Sequence, residues 1–147
     1  MCIRDRNLVL LNSHGGNTSL LHGMAQTWKR KFGVDIFHVD FWGSDFFNDA
    51  ASMLQTPIQL DIHGGEIETS LLLYSRPQVV KEAELKTMTD DLPELPKYRG
   101  SWTAKELSPK GALGGATKAS AETGKALSEF VKNKVISQLE AIARGEG

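Results

Sequence analysis

The sequence predicts an α/β fold with parallel strands, and three stretches carry that prediction. NLVLLNS at residues 7–13 is a short apolar run with polar ends, as a buried strand of a parallel sheet requires. NTSLLHGMAQTWKRK at residues 17–31 has helical spacing, with Leu20, Leu21, Met24 and Trp28 on one face. VDIFHVDF at residues 34–41 is a second strand. Strand–helix–strand in so short a span is a βαβ unit, whose strands run parallel with a right-handed crossover.

Each further element follows from local chemistry. Asn17 or Thr18 is suited to cap the first helix, and Lys29, Arg30 and Lys31 oppose the negative end of its dipole before Gly33 stops it. SDFFNDAASMLQ reads as a helix capped by Ser44 or Asp45, ahead of Pro57. IQLDIH alternates like a strand but equally suits a loop. EIETSLLLYS reads as a helix with Glu66 and Glu68 in its first turn and Pro77 at its end. Residues 78–110 are rich in proline and poor in apolar clusters, so they form a long connection of the kind that makes lids or interfaces. After the glycine-rich GALGGATKAS, residues 119–143 form the longest helix, with Ala126, Leu127, Phe130, Val131, Val135, Leu139 and Ile142 along one side. No repeat of solenoid length is present.

Composition narrows the function classes. At 147 residues, 40% hydrophobic and 24% charged, the chain has the size and make-up of one globular domain. A formal net charge of −1 with interspersed signs gives no basic stripe for nucleic acid and no polybasic run for a membrane surface. No apolar run approaches the ~18 residues of a membrane span. The single cysteine, Cys2, forms no internal disulfide, which fits a reducing, cytoplasmic setting. Residues 1–6, MCIRDR, look unlike the strand they precede. They resemble the translated adaptor sequence that heads gene fragments from environmental assemblies, so they are expected to be a leader foreign to the fold. A native polar extension is the other reading.

Two histidines, His14 in NSHGGN and His63 in DIHGGEIETS, each precede two glycines. His14 closes a βα turn, where open α/β sheets bind ligands. Glycines there let backbone approach a ligand, and the helix that follows offers N–H groups to an anion. HGGN nevertheless lacks the lysine of a P-loop and the glycine spacing of a dinucleotide site. Metal binding is the second reading. Imidazole is a common neutral ligand, Glu66 adds a hard oxygen three residues after His63, and such a set suits zinc or manganese. A purely structural role in tight turns is the third. His22 is expected to be solvated on a polar helix face, and His38 to be a satisfied core histidine. Asp40, Trp42 and Asp61 fall near strand ends, where aspartates also cap the next helix. Glu68 is a first-turn residue with a supporting role at most.

Taken together, three motifs resemble the creatininase (creatinine amidohydrolase) family. NSHGGN resembles its NGHGGN, HGGEIETSLLL its HAGE-x-ETS, and GALGGATKASAETGKAL its C-terminal glycine-rich turn leading into the last helix. They occur in the family's order, and the resemblance covers residues 7–143. It implies a three-layer α/β/α sandwich around a mainly parallel sheet, usually assembled as a homo-oligomer, often a hexamer. It implies hydrolysis of C–N bonds in small-molecule amides by a pair of divalent metals, zinc or manganese. By the same resemblance His14 is a metal ligand and His63 the proton donor to the leaving nitrogen. Creatininase carries a glutamate where this chain has Gly16. Members with glycine there carry one in the second motif, which assigns the ligand role to Glu66. The family's first-half motif, of the type G–S–x–E–Q–H–G, is nowhere in the sequence. Residues 7–147 are therefore expected to be the C-terminal part of a single creatininase-like domain, inactive alone. The rival expectation is a non-catalytic βα module that binds an anion or serves only structurally.

Overall fold

The computed structural model of the chain describes residues 6–41, 44–88, 94 and 100–146. Cys2 and Trp42 lie outside the described residues. The chain divides into two compact units, Met1–Asn48 with Val131–Gly147, and Asp49–Phe130.

The first unit contains the βαβ unit that the sequence predicts. Strands β1 (Asn7–Asn12) and β2 (Asp35–Asp40) pair in parallel from Asn7 opposite Asp35 to Asn12 opposite Asp40. The helix between them, α1, spans Gly15–Phe32. Gly33 ends it in the left-handed conformation, φ 65°, and donates its N–H to the Lys29 carbonyl at 2.9 Å. The class is α/β, as expected, and among the described residues the sheet has two strands.

Three local expectations change. α1 begins at Gly15 without a side-chain cap, because Asn17 and Thr18 are drawn away to Asn12 and Asp40. β1 is not a buried strand: Leu8 is 43% and Leu11 54% exposed, since the strand has one described partner. Leu20, placed on the apolar face of α1, is 67% exposed.

Helix α2 (Ser44–Ala50) runs into a 3₁₀ turn at Ala51–Met53. In the second unit, IQLDIH resolves as a 3₁₀ turn at Ile58–Leu60 followed by a single antiparallel bridge from His63 to Leu113. Helix α3 spans Glu66–Ser75, with Pro77 opening the 3₁₀ turn that follows. The segment after it carries two short helices, α4 (Glu82–Leu85) and α5 (Ala104–Leu107). Thr103 and Glu106 form a reciprocal capping box on α5. Among the described residues, Ala50, Ile58, Ile67, Leu113, Ala116 and Leu127 are the buried apolar side chains of this unit's core.

The last helix, α6, spans Ala121–Arg144. Ser120 caps it by accepting the Thr123 N–H at 3.0 Å, while its own N–H goes to the Ser70 hydroxyl. α6 then crosses α3 at close range: a Cβ at Gly124 would lie 1.9 Å from the Ser70 carbonyl oxygen. Leu127 is fully buried, whereas Ala126 is exposed. Among the described residues no helix is long and apolar enough to cross a membrane.

Candidate functional site

In the first unit the HGGN turn is built on Asn12, which is buried at the end of β1. Its Oδ1 accepts the His14 N–H at 3.2 Å. Its Nδ2 donates to Asp40 at 2.6 Å and to the Thr18 hydroxyl at 3.1 Å. One amide side chain therefore ties both strand ends and the first turn of α1 together. Asp40 also pairs with His22 Nε2 at 3.1 Å, and the His22 ring stacks on His38 at 4.4 Å between centroids.

The other two histidines, His22 on α1 and His38 on β2, pack against each other. His22 is exposed but paired rather than merely solvated. His38 is satisfied on one side only: its ring bonds the Leu21 backbone, while its Nε2 is buried without a hydrogen-bond partner among the described residues. Burial lowers the His38 pKa below 6.5, His22 lowers it further, and Asp40 acts in the opposite sense. His14 itself is exposed, and its ring lies over Gly16: a Cβ there would come within 2.8 Å of His14 Nε2. The second glycine of this turn makes room for the imidazole.

In the second unit the HGGE turn has a different foundation. Asp61 half-buries its carboxylate and accepts the N–H groups of Glu66 at 2.6 Å and Ile67 at 2.8 Å, capping α3. Burial pushes its carboxyl up from the usual range, and those amides pull it partly back. His63 is exposed at the apex of the turn. Its N–H donates to the Leu113 carbonyl at 3.0 Å, and its carbonyl accepts from Leu113 at 2.6 Å. Gly64 takes a left-handed φ of 59°. A cavity of about 270 Å³ opens beside it, with Thr69, Leu72, Val80, Leu85 and Met88 among its walls.

The two acids of this motif divide sharply. Glu66 is fully buried, and its carboxylate accepts from Gln55 N–H at 3.0 and 3.1 Å and from Thr56 N–H at 2.7 Å. Glu68 is exposed and accepts the Gly64 N–H, next to His63. A metal ligand must turn a lone pair toward space that an ion can reach. By that test His14 fits a divalent ion, and Glu66 does not while it holds Gln55 and Thr56. His14 belongs to the first unit; His63 and Glu66 belong to the second. Among the described residues no group of three or more His, Cys, Asp or Glu is arranged to hold a metal.

The third glycine-rich motif packs on the second. A Cβ at Gly114 would meet Asp61 Oδ1 at 2.3 Å, and one at Gly115 would meet Thr56 Oγ1 at 1.8 Å. Sequence reasoning undervalued Asn12 and Asp61. The signal for each was a polar residue closing an apolar run just before a histidine turn.

The family model described as creatininase, creatinine amidohydrolase, matches residues 5–139. The chain is 30% identical over 143 residues to a mycofactocin precursor peptide peptidase of Mycobacterium ulcerans (strain Agy99), covering 94% of this chain and 49% of that protein. A solved creatinine amidohydrolase (creatininase) superposes with a TM-score of 0.68 at 26% identity, over 92% of this chain and 55% of the other. A structure named creatininase Mn gives 0.67 at 26% over 91% and 55%. A mutant creatininase of the Zn-Zn type shares the fold, with a TM-score of 0.69 at 22% identity over 92% and 55%. The chain thus spans about half the length of these relatives. With the family model matched across both units, the chain belongs to the creatininase family.

Proposed function

We propose that this chain is the C-terminal part of a metal-dependent amidohydrolase that cleaves a C–N amide bond, with His63 as proton donor and His14 as a metal ligand. The observation that carries the reading is His63. It is an exposed imidazole in the family's second motif, its backbone pinned by Leu113 on both its N–H and its carbonyl, and the next residue, Gly64, lines a cavity. Amide nitrogen leaves readily only when protonated, so a donor held at a rigid turn addresses the difficult half of the reaction. His63 delivers the proton to the nitrogen as the C–N bond breaks, and the product departs as a neutral amine. A divalent ion, zinc or manganese and two in the complete enzyme, would supply hydroxide at neutral pH and polarise the carbonyl.

Glu66 is a ligand in this reading only if it releases the Gln55 and Thr56 amides. Its complete burial favours a second reading in which Glu66 anchors the loop before the motif and Glu68 supplies the exposed carboxylate. The substrate is a small-molecule amide, and the peptidase name of one relative makes peptides the rival class. A cytoplasmic homo-oligomer, a hexamer in the family manner, is the expected working form. Hydrolysis of a panel of small amides and short peptides, by residues 1–147 and by the protein extended through its upstream reading frame, tests this reading. Activity confined to the extended protein supports it; full activity of residues 1–147 overturns the partial-chain reading, and activity of neither overturns the hydrolase reading.

A further inference from the structure

We infer that Asp61 is a positioning residue for His63: its carboxylate closes the loop that holds the imidazole at the apex of the HGG turn. This rests on the reading of His63 as proton donor. Asp61 lies two residues before His63, yet it binds the N–H groups of Glu66 and Ile67, three and four residues after that histidine. One side chain therefore bridges the base of a loop whose tip is His63. The bridge has a built seat. A Cβ at Gly65 would fall 1.8 Å from Asp61 Oδ1, and a Cβ at Gly114 would fall 2.3 Å from the same atom. Two glycines, from two separate motifs, leave space that this carboxylate fills. The second glycine of the HGG turn thus accommodates Asp61 rather than a ligand.

The opposite side of the loop is held independently. Ile62 and His63 both donate to the Leu113 carbonyl, at 2.8 and 3.0 Å. Removing the Leu113 contacts would free the outer edge of the loop; removing the Asp61 carboxylate frees its base and leaves two helix N–H groups without their acceptor. A side chain two residues away then loses its fixed place relative to α3. Simple capping would affect only stability. Ser120, which caps α6 in the same unit, provides the comparison.

The experiment compares Asp61→Ala, Asp61→Asn and Ser120→Ala by the NMR ring resonances of the four histidines in the 147-residue chain, with melting temperature recorded beside them. Asp61→Ala should move and broaden the His63 resonance while His14, His22 and His38 stay in place. Asp61→Asn, which keeps one acceptor oxygen and nearly the same shape, should restore part of the native shift and covers the case in which the alanine variant fails to fold. Ser120→Ala should lower melting without moving His63. In the extended enzyme Asp61→Asn should lower kcat about tenfold at unchanged KM, a fraction of the ~10²–10⁴-fold that proton transfer contributes. A His63 resonance unmoved in every folded Asp61 variant overturns the inference. Unchanged turnover in His63→Ala would instead overturn the proton-donor reading and leave the NMR result standing.

Discussion

Glu66 meets two demands that a single carboxylate satisfies poorly together. Family resemblance asks it to face a metal, while the fold surrounds it with the Gln55 and Thr56 amides. Losing the acceptor leaves the buried Thr56 N–H and the part-buried Gln55 N–H unpaired, at about 1–3 kcal/mol for a fully buried group. Glu66→Ala should therefore lower unfolding free energy by roughly 2–4 kcal/mol, and Glu66→Gln by less, as measured by urea denaturation; no loss in either variant would show the amides find other partners. His38 makes a second residue-level case. Its folded pKa is depressed, so its neutral form is favoured on folding. The stability it contributes is full above 6.5 and is lost as the pH falls through the lower folded value. Melting temperatures between about pH 8 and about pH 5 should fall more steeply for the native chain than for His38→Phe, which keeps a ring but cannot titrate. Parallel curves would refute this. The sequence named both His22 and His38 but not their stacking, because it joins α1 to β2 and neither element's own spacing shows it.

Elements with their own periodicity were legible. β1, α1, β2, α3 and α6 lie where apolar spacing, caps and breakers put them, within a residue or two. What was hidden is tertiary. IQLDIH alternates like a strand, but among the described residues its bridge partner is Leu113 alone, so it becomes a turn and a bridge. The glycines were visible and their reasons were not: Gly16 makes room for His14, Gly65 and Gly114 for Asp61, Gly115 for Thr56, and Gly124 for the α3 backbone. The last of these gives a sharp pair of outcomes. Gly124→Ala forces a Cβ against a backbone carbonyl and should cost about 1–3 kcal/mol or more. Gly23→Ala, with nothing within 4 Å in the interior of α1, should stabilise by roughly 0.5–1 kcal/mol. Equal effects on unfolding free energy would contradict the packing account.

At the scale of the whole molecule, fold class and family were both readable from three short motifs, and the family match over residues 5–139 agrees. The donor set was not readable in full. The resemblance supplied His14, His63 and Glu66, and only the two histidines present exposed side chains. The chain spans about half the length of these relatives. In the proposed function the two HGG histidines do different work, His14 holding metal and His63 delivering a proton. The most direct measurement is elemental analysis beside amide turnover on the same preparations of the extended protein, native, His14→Ala and His63→Ala. His63→Ala should keep its metal while turnover falls ~10²–10⁴-fold, and His14→Ala should lose metal and activity together. Full metal content in His14→Ala, or native turnover in His63→Ala, would contradict it.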